Sequence, residues 1–255
     1  MLPPEAGTRP IDIEVGGSSP RGEMRVVAWD LPTRLFHWTL VALILSAYVS
    51  TAFAEQLGDN LLKWHRWNGL AILVLLVWRG MWGIFGSSTA RFSAFLRGPR
   101  SAAAYVIGLV GGKSRRYLGH NPVGAYMVVT LLLVTGSIGV LGLFTVEHND
   151  ITAGPLYRLL SEEWVKQTSR LHRVLFDWVL LPLVGVHIAV NLLYTFAKRD
   201  PLIPAMITGL KPAADYADAR EAVVVRWSLL RAAVLLAASA AIVLGTIKAL
   251  GGRLP

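Results

Sequence analysis

Hydrophobic residues along this chain come in blocks rather than in stripes. Leu31 to Ala54, Leu61 to Phe85, Val123 to Phe144, Val174 to Ala197 and Trp227 to Leu250 are apolar around their whole circumference. Each exceeds the roughly 20 residues that carry a helix across a bilayer. Hydrocarbon offers the backbone no partner, so each block must satisfy its own amides and is expected to be helical. The pattern predicts an all-α integral membrane protein: a four-helix transmembrane bundle plus a fifth, C-terminal transmembrane helix.

The polar segments divide the chain into a tail at 1–24, a membrane domain at 25–210, and a loop with the extra helix at 211–255. Met1 to Met24 is rich in Gly, Pro and Ser without a period, which predicts a flexible tail. Between the second and third blocks, Phe92, Phe95, Leu96, Tyr105, Val106 and Leu109 interleave with basic residues. A helix lying in the membrane interface, interrupted at Gly98-Pro99, fits that pattern. A short helix is expected near Pro155 to Trp164, and Asp200 to Arg226 reads as a loop. Ala52-Phe53-Ala54 resembles a signal-peptidase site, but the apolar run before it is too long and begins too late, so it is read as a retained span. Trp29, Trp38, Trp64, Trp67, Trp82, Trp164 and Trp227 mark span ends, as interfacial anchors do.

Composition narrows the chemistry. A mean hydropathy of +0.50 excludes an ordinary soluble domain. The chain has no cysteine, which excludes disulfides, iron–sulfur clusters and thioether-bound haem. A net charge of +9 raises nucleic acid as a partner, but its distribution argues for membrane lipid instead. Arg9, Arg21, Arg25, Arg34, Arg91, Arg97, Arg100, Lys113, Arg115 and Arg116 all fall on one side, whereas Glu55, Asp59, Glu147, Asp150, Glu162 and Glu163 fall on the other. The positive-inside rule then places the N-terminus in the cytoplasm and, after five spans, the C-terminus in the periplasm. No nucleic-acid role is expected.

Ionisable groups are scarce inside the blocks, and each is a functional candidate. His37, His65, His172 and His187 lie in three spans. Alternating span direction puts His37 and His187 near the cytoplasmic face, and His65 and His172 near the outer face. The pattern is that of two b haems, each held between two axial imidazoles as His37/His187 and His65/His172. The fifteen residues from His172 to His187 separate the levels by roughly 22 Å. On an ideal helix they also leave the rings about 60° apart, so a one-residue bulge is expected near Pro182. Arg34, Arg66 and Arg173 sit beside these histidines, either pairing with haem propionates or reaching to lipid headgroups. His120 has no depth-matched partner, which leaves helix capping or quinone contact. His148, in an acidic loop, reads as solvated.

The run Trp29-Asp30-Leu31-Pro32-Thr33-Arg34-Leu35-Phe36-His37-Trp38 resembles the opening of the bacterial cytochrome b561 family, relatives of the nickel–iron hydrogenase di-haem cytochrome b subunit. His65 with Gly69, Ala90-Arg91-Phe92-Ser93 through Arg97-Gly98-Pro99, Gly119-His120-Asn121-Pro122, Leu171-His172 and His187 continue the likeness over roughly Trp29 to Gly209. The resemblance implies two haem b groups, electron exchange with the quinone pool in a bacterial inner membrane, and a redox partner such as a c-type cytochrome or another complex subunit. The chain would then be an electron-transfer subunit of an oxidoreductase. Alternatives are a superoxide:quinone oxidoreductase acting alone, or an accessory haem subunit of a larger respiratory or photosynthetic complex. Two departures stand out: the family more often spaces its fourth-span histidines one residue closer, and the fifth span is additional. The small-residue face of that span (Ala232, Ala233, Ala237, Ala238, Ser239, Ala240, Ala241) is expected to dock a partner or a second copy.

Overall fold

The computed structural model describes residues 25–53, 56, 60–113, 115–146, 153–213, 216–218 and 223–254. The tail at 1–24 and the loop residues Glu55, Asp59, Glu147, His148 and Asp150 lie outside the described residues.

Among the described residues five helices are long and apolar enough to cross a membrane, so the fold is an all-α, multi-pass membrane bundle. In chain order the elements are β1 (Arg25–Val27), α1 (Leu31–Ala52), α2 (Asn60–Phe85), α3 (Phe92–Phe95), α4 (Pro99–Val110) and α5 (Pro122–Gly142). They continue with α6 (Glu162–Leu175), α7 (Leu181–Leu192), α8 (Leu202–Thr208), β2 (Leu210–Pro212) and α9 (Ser228–Ala249). The spans alternate in direction. The face where α1 begins is called the N-side, and the opposite face the far side.

Two spans begin on the N-side with the same local device. The Asp30 side chain accepts a hydrogen bond from Thr33 N at 2.9 Å, with Pro32 in the first turn. Asn121 accepts from Gly124 N at 2.8 Å, with Pro122 first in the helix. Each cap satisfies an otherwise orphaned amide, and proline needs no partner there. His120 is therefore not the cap of α5.

The fourth span differs from expectation. Its helix starts at Glu162 and runs unbroken to Ala197, so Trp164 is part of it. The expected short helix contracts to a single 3₁₀ turn, Tyr157–Leu159. Glu162 and Glu163 in the first turn and His172 and Arg173 in the last turn of α6 favour this extension by matching the helix dipole. Between α6 and α7 the backbone widens to a π-helical turn, Phe176–Leu180, and a second such turn, Leu193–Ala197, ends the span.

Nor is the 200–226 segment merely a loop. It contains α8 and β2, and β2 pairs antiparallel with β1, Val26 opposite Lys211. Gly209 O accepts from Ala28 N and Trp29 N at 2.8 and 3.1 Å. Gly209 has φ +85° and lies where a Cβ would stand 2.8 Å from Trp29 O, so only glycine fits. Lys211, fully buried, pairs with Asp200 at 2.9 Å and donates to Tyr117 O at 3.0 Å. Burial lowers the Lys211 pKa, while the Asp200 charge opposes that shift. Asp218 holds the loop before α5 by accepting from Leu118 N and Gly119 N at 2.6 and 2.9 Å. These contacts seal the N-side beneath the bundle.

Packing within the membrane region is sparse because lipid, not protein, solvates the outer faces. Phe36, Trp78, Trp82 and Ala90 form the N-side core, joined by Ala232 and Leu235 of α9. Leu70, Leu156 and Ile247 form a far-side core. Trp29 and Trp82 are buried, unlike the exposed Trp38, Trp64, Trp67, Trp164 and Trp227, so only the last five match interfacial anchors. Part of the α9 small-residue face turns inward: Ser239 is buried and Trp78 Nε1 donates to Ala232 O at 3.0 Å. Ala233, Ala237 and Ala241 stay outward.

Candidate functional site

On the far side, α2 brings His65 and α6 brings His172 together. Their ring centres are 6.1 Å apart with planes 78° from parallel. Each ring is held by a neighbouring helix: His65 Nδ1 lies 3.0 Å from Ala47 O of α1, and His172 Nδ1 lies 2.9 Å from Ile138 O of α5. A carbonyl can only accept, so Nδ1 carries the proton in both rings and each Nε2 is the unprotonated nitrogen, the one able to act as a ligand. Two imidazole–metal bonds of roughly 2 Å, plus about 1 Å from nitrogen to ring centre on each side, place axial rings roughly 6 Å apart. The observed spacing fits one metal between two Nε2 atoms. An Nδ1–H···O=C bond is also what usually orients a liganding histidine.

Glycines leave room for a flat macrocycle. A Cβ on the half-buried Gly69, one turn from His65, would meet nothing within 4 Å. A Cβ on Gly142 would stand 3.2 Å from His172 Cε1. The first marks open space and the second a ring that backbone approaches closely.

On the N-side, His37 of α1 and His187 of α7 lie within electrostatic reach of each other. His37 Nδ1 is buried and has no hydrogen-bond partner among the described residues. The Asn191 amide stands 3.4 Å from both His187 ring nitrogens and donates to His187 O at 2.7 Å. The π turn lies between His172 and His187, just before Pro182, where the bulge was expected. It absorbs one residue, moving the ring offset from about 60° to about 40° in the opposite sense. A fifteen-residue spacing thereby acts as the fourteen-residue spacing of an unbroken helix. All four histidines are half-buried.

The arginines are less alike. Arg34 donates through Nη1 to Ile207 O and lies against Gly209. Arg66 is half-buried beside His65, and Arg173 is exposed. Arg79, which does not adjoin a histidine, is the most buried arginine among the described residues, at 3% exposure. Its signal was a fourteen-residue offset from His65 in an otherwise uncharged run.

His120 is enclosed by aromatic rings, 4.8 Å from Trp29 and 4.8 Å from Phe95. Burial, with Arg79, His187, Lys211 and His37 nearby, lowers its pKa to about 3, so it is neutral. Among the described residues no cluster of three or more His, Cys, Asp or Glu could hold a bare metal ion.

The model of one protein family, described as prokaryotic cytochrome b561, matches residues 28–209. No curated protein and no solved structure matches the chain.

Proposed function

The chain belongs to the prokaryotic cytochrome b561 family, a family of transmembrane b-type haem electron carriers, and from that premise we propose that it holds two haem b groups and passes electrons between quinone and a redox protein partner. His65/His172 serve the far-side haem and His37/His187 the N-side haem. The observation that carries this reading is the far-side pair: rings 6.1 Å apart, each with Nδ1 on a main-chain carbonyl.

When bound, haem b supplies a one-electron iron couple. The residues of the chain do the rest. His65 with His172, and His37 with His187, would each hold one haem between two imidazoles, leaving no position for substrate or oxygen and suiting the site to electron passage. Ala47 O and Ile138 O fix ring tautomer and rotation. The span from His172 to His187 sets the two levels roughly 22 Å apart, across most of a hydrocarbon core about 30 Å thick. Arg25, Arg34, Arg91, Arg97, Arg100, Arg115 and Arg116 gather at the N-side, which supports a cytoplasmic N-side, an inner-membrane location and a periplasmic C-terminus. The outward small-residue positions of α9 remain available to a partner subunit.

Haem content and reduced-minus-oxidised spectra of the purified chain test the reading. Two b haems per chain are expected. His65→Ala or His172→Ala should remove one, and His37→Ala or His187→Ala the other. A wild-type chain with one haem or none overturns the two-haem reading.

A further inference from the structure

The spacing along α2 repeats the geometry of the fourth span. Arg79 follows His65 by fourteen residues, which puts it on the same helix face within about 40° and roughly 21 Å toward the N-side. That is the level of His37 and His187. Four observations show that it is neither a lipid-reaching arginine nor a satisfied structural one. It is 3% exposed. Its Nη1 is buried without a hydrogen-bond partner among the described residues. Its Cζ stands 4.8 Å over the Phe92 ring, which fixes the guanidinium in place. The carboxylate in its electrostatic reach is that of Asp30. One oxygen of Asp30 is used on Thr33 N, and the other has no partner of its own. By contrast, the buried Lys211 is closed by Asp200 at 2.9 Å.

A guanidinium left buried and incompletely paired is strongly unfavourable unless an anion completes it. Arg79 shares its electrostatic neighbourhood with His120, which in turn reaches His37 and His187. The structure therefore assigns Arg79 as the charge partner of a propionate carboxylate of the N-side haem, a role that rests on the two-haem reading above. Its planar, permanently charged fork suits a carboxylate better than an ammonium would. Arg79 is a binding and positioning residue: it seats the porphyrin edge and places a fixed positive charge near that iron. Such a charge favours the reduced, less positive iron.

Redox titration of the full-length, haem-loaded protein, followed optically, tests the assignment with Arg79→Gln and Arg79→Lys. In Arg79→Gln the N-side haem is expected to become at least tenfold easier to oxidise, about 59 mV lower for a one-electron couple. The far-side haem should be unchanged, and Arg79→Lys should recover part of the shift. Selective loss of one haem in Arg79→Gln, with both kept in Arg79→Lys, supports the same role. Two haems at wild-type potentials in both variants overturn it, as does loss of both haems in both variants, which marks Arg79 as an element of the fold alone. A wild-type chain lacking two haems instead defeats the reading beneath it, so the two failures are distinguishable.

Discussion

Inserting one alanine after Trp178 should remove the N-side haem, whereas deleting Trp178 should leave both haems in place. The fourth span already carries one residue more than an α-helix would need between His172 and His187, stored in the π turn Phe176–Leu180. Deleting Trp178, a lipid-facing residue at 77% exposure, lets that turn relax to α-helix. The spacing becomes fourteen residues and the offset of about 40° is kept. An insertion cannot be absorbed in this way. It turns α7 by about 100° and advances it by about 1.5 Å, so an imidazole roughly 6 Å from the axis moves by about 9 Å. No side-chain rotation returns Nε2 of His187 to an iron shared with His37 over that distance. The assay is haem stoichiometry with low-temperature spectra, which resolve two b haems. An insertion variant with both haems intact, or a deletion variant that loses the N-side haem, refutes the account of the π turn.

Three further outcomes follow from the packing. Asp200→Asn strands the buried Lys211 ammonium and should destabilise the protein by about 3–5 kcal/mol; adding Lys211→Met should recover most of it in detergent unfolding, and an unchanged single variant would refute the pair. Gly142→Ala places a Cβ 3.2 Å from His172 Cε1 and should push the ring off its 2.9 Å bond to Ile138 O, altering the axial ligand field of one haem by electron paramagnetic resonance; an unchanged spectrum in Gly142→Val as well would count against the close fit. His120, held neutral by burial with a pKa of about 3 against 6.5 unfolded, contributes no pH dependence above pH 6.5. Below that the unfolded chain binds the extra proton, so stability falls progressively from pH 6.5 toward 3. His120→Phe should flatten that slope in thermal melts, and an identical slope would dismiss the assignment.

Much of the architecture was readable because lipid enforces simple rules. Spans must be long, apolar and helical, so five blocks sufficed to place five helices within a few residues at most ends. The same rules single out the histidines as candidates, because ionisable side chains are rare in hydrocarbon. Even the widened turn could be anticipated, from fifteen residues and Pro182. What escaped the sequence was held by contacts between distant segments. Nothing local in Arg25–Val27 or Leu210–Pro212 marks a strand; their pairing depends on Gly209 and on burial of Lys211. The start of α6 at Glu162 was hidden because its first turns are polar, and hydropathy registers lipid contact rather than helix. Arg79 is hard to read from sequence because nothing beside it in the chain marks it; only its depth and helical phase relative to His65 do.

The carbonyls that grip His65 and His172 give the two cofactor positions unequal readiness. The far-side rings are already aimed before any porphyrin arrives, because α1 and α5 supply their restraint through the polypeptide alone. Among the described residues His37 has no such stake at Nδ1, so its orientation would fall to the guest itself. Loading should accordingly proceed in order: the pre-set socket captures first and stiffens the bundle, and the second fills only afterwards, so that chains starved of porphyrin during synthesis would accumulate as half-filled molecules rather than as a mixture of empty and full ones.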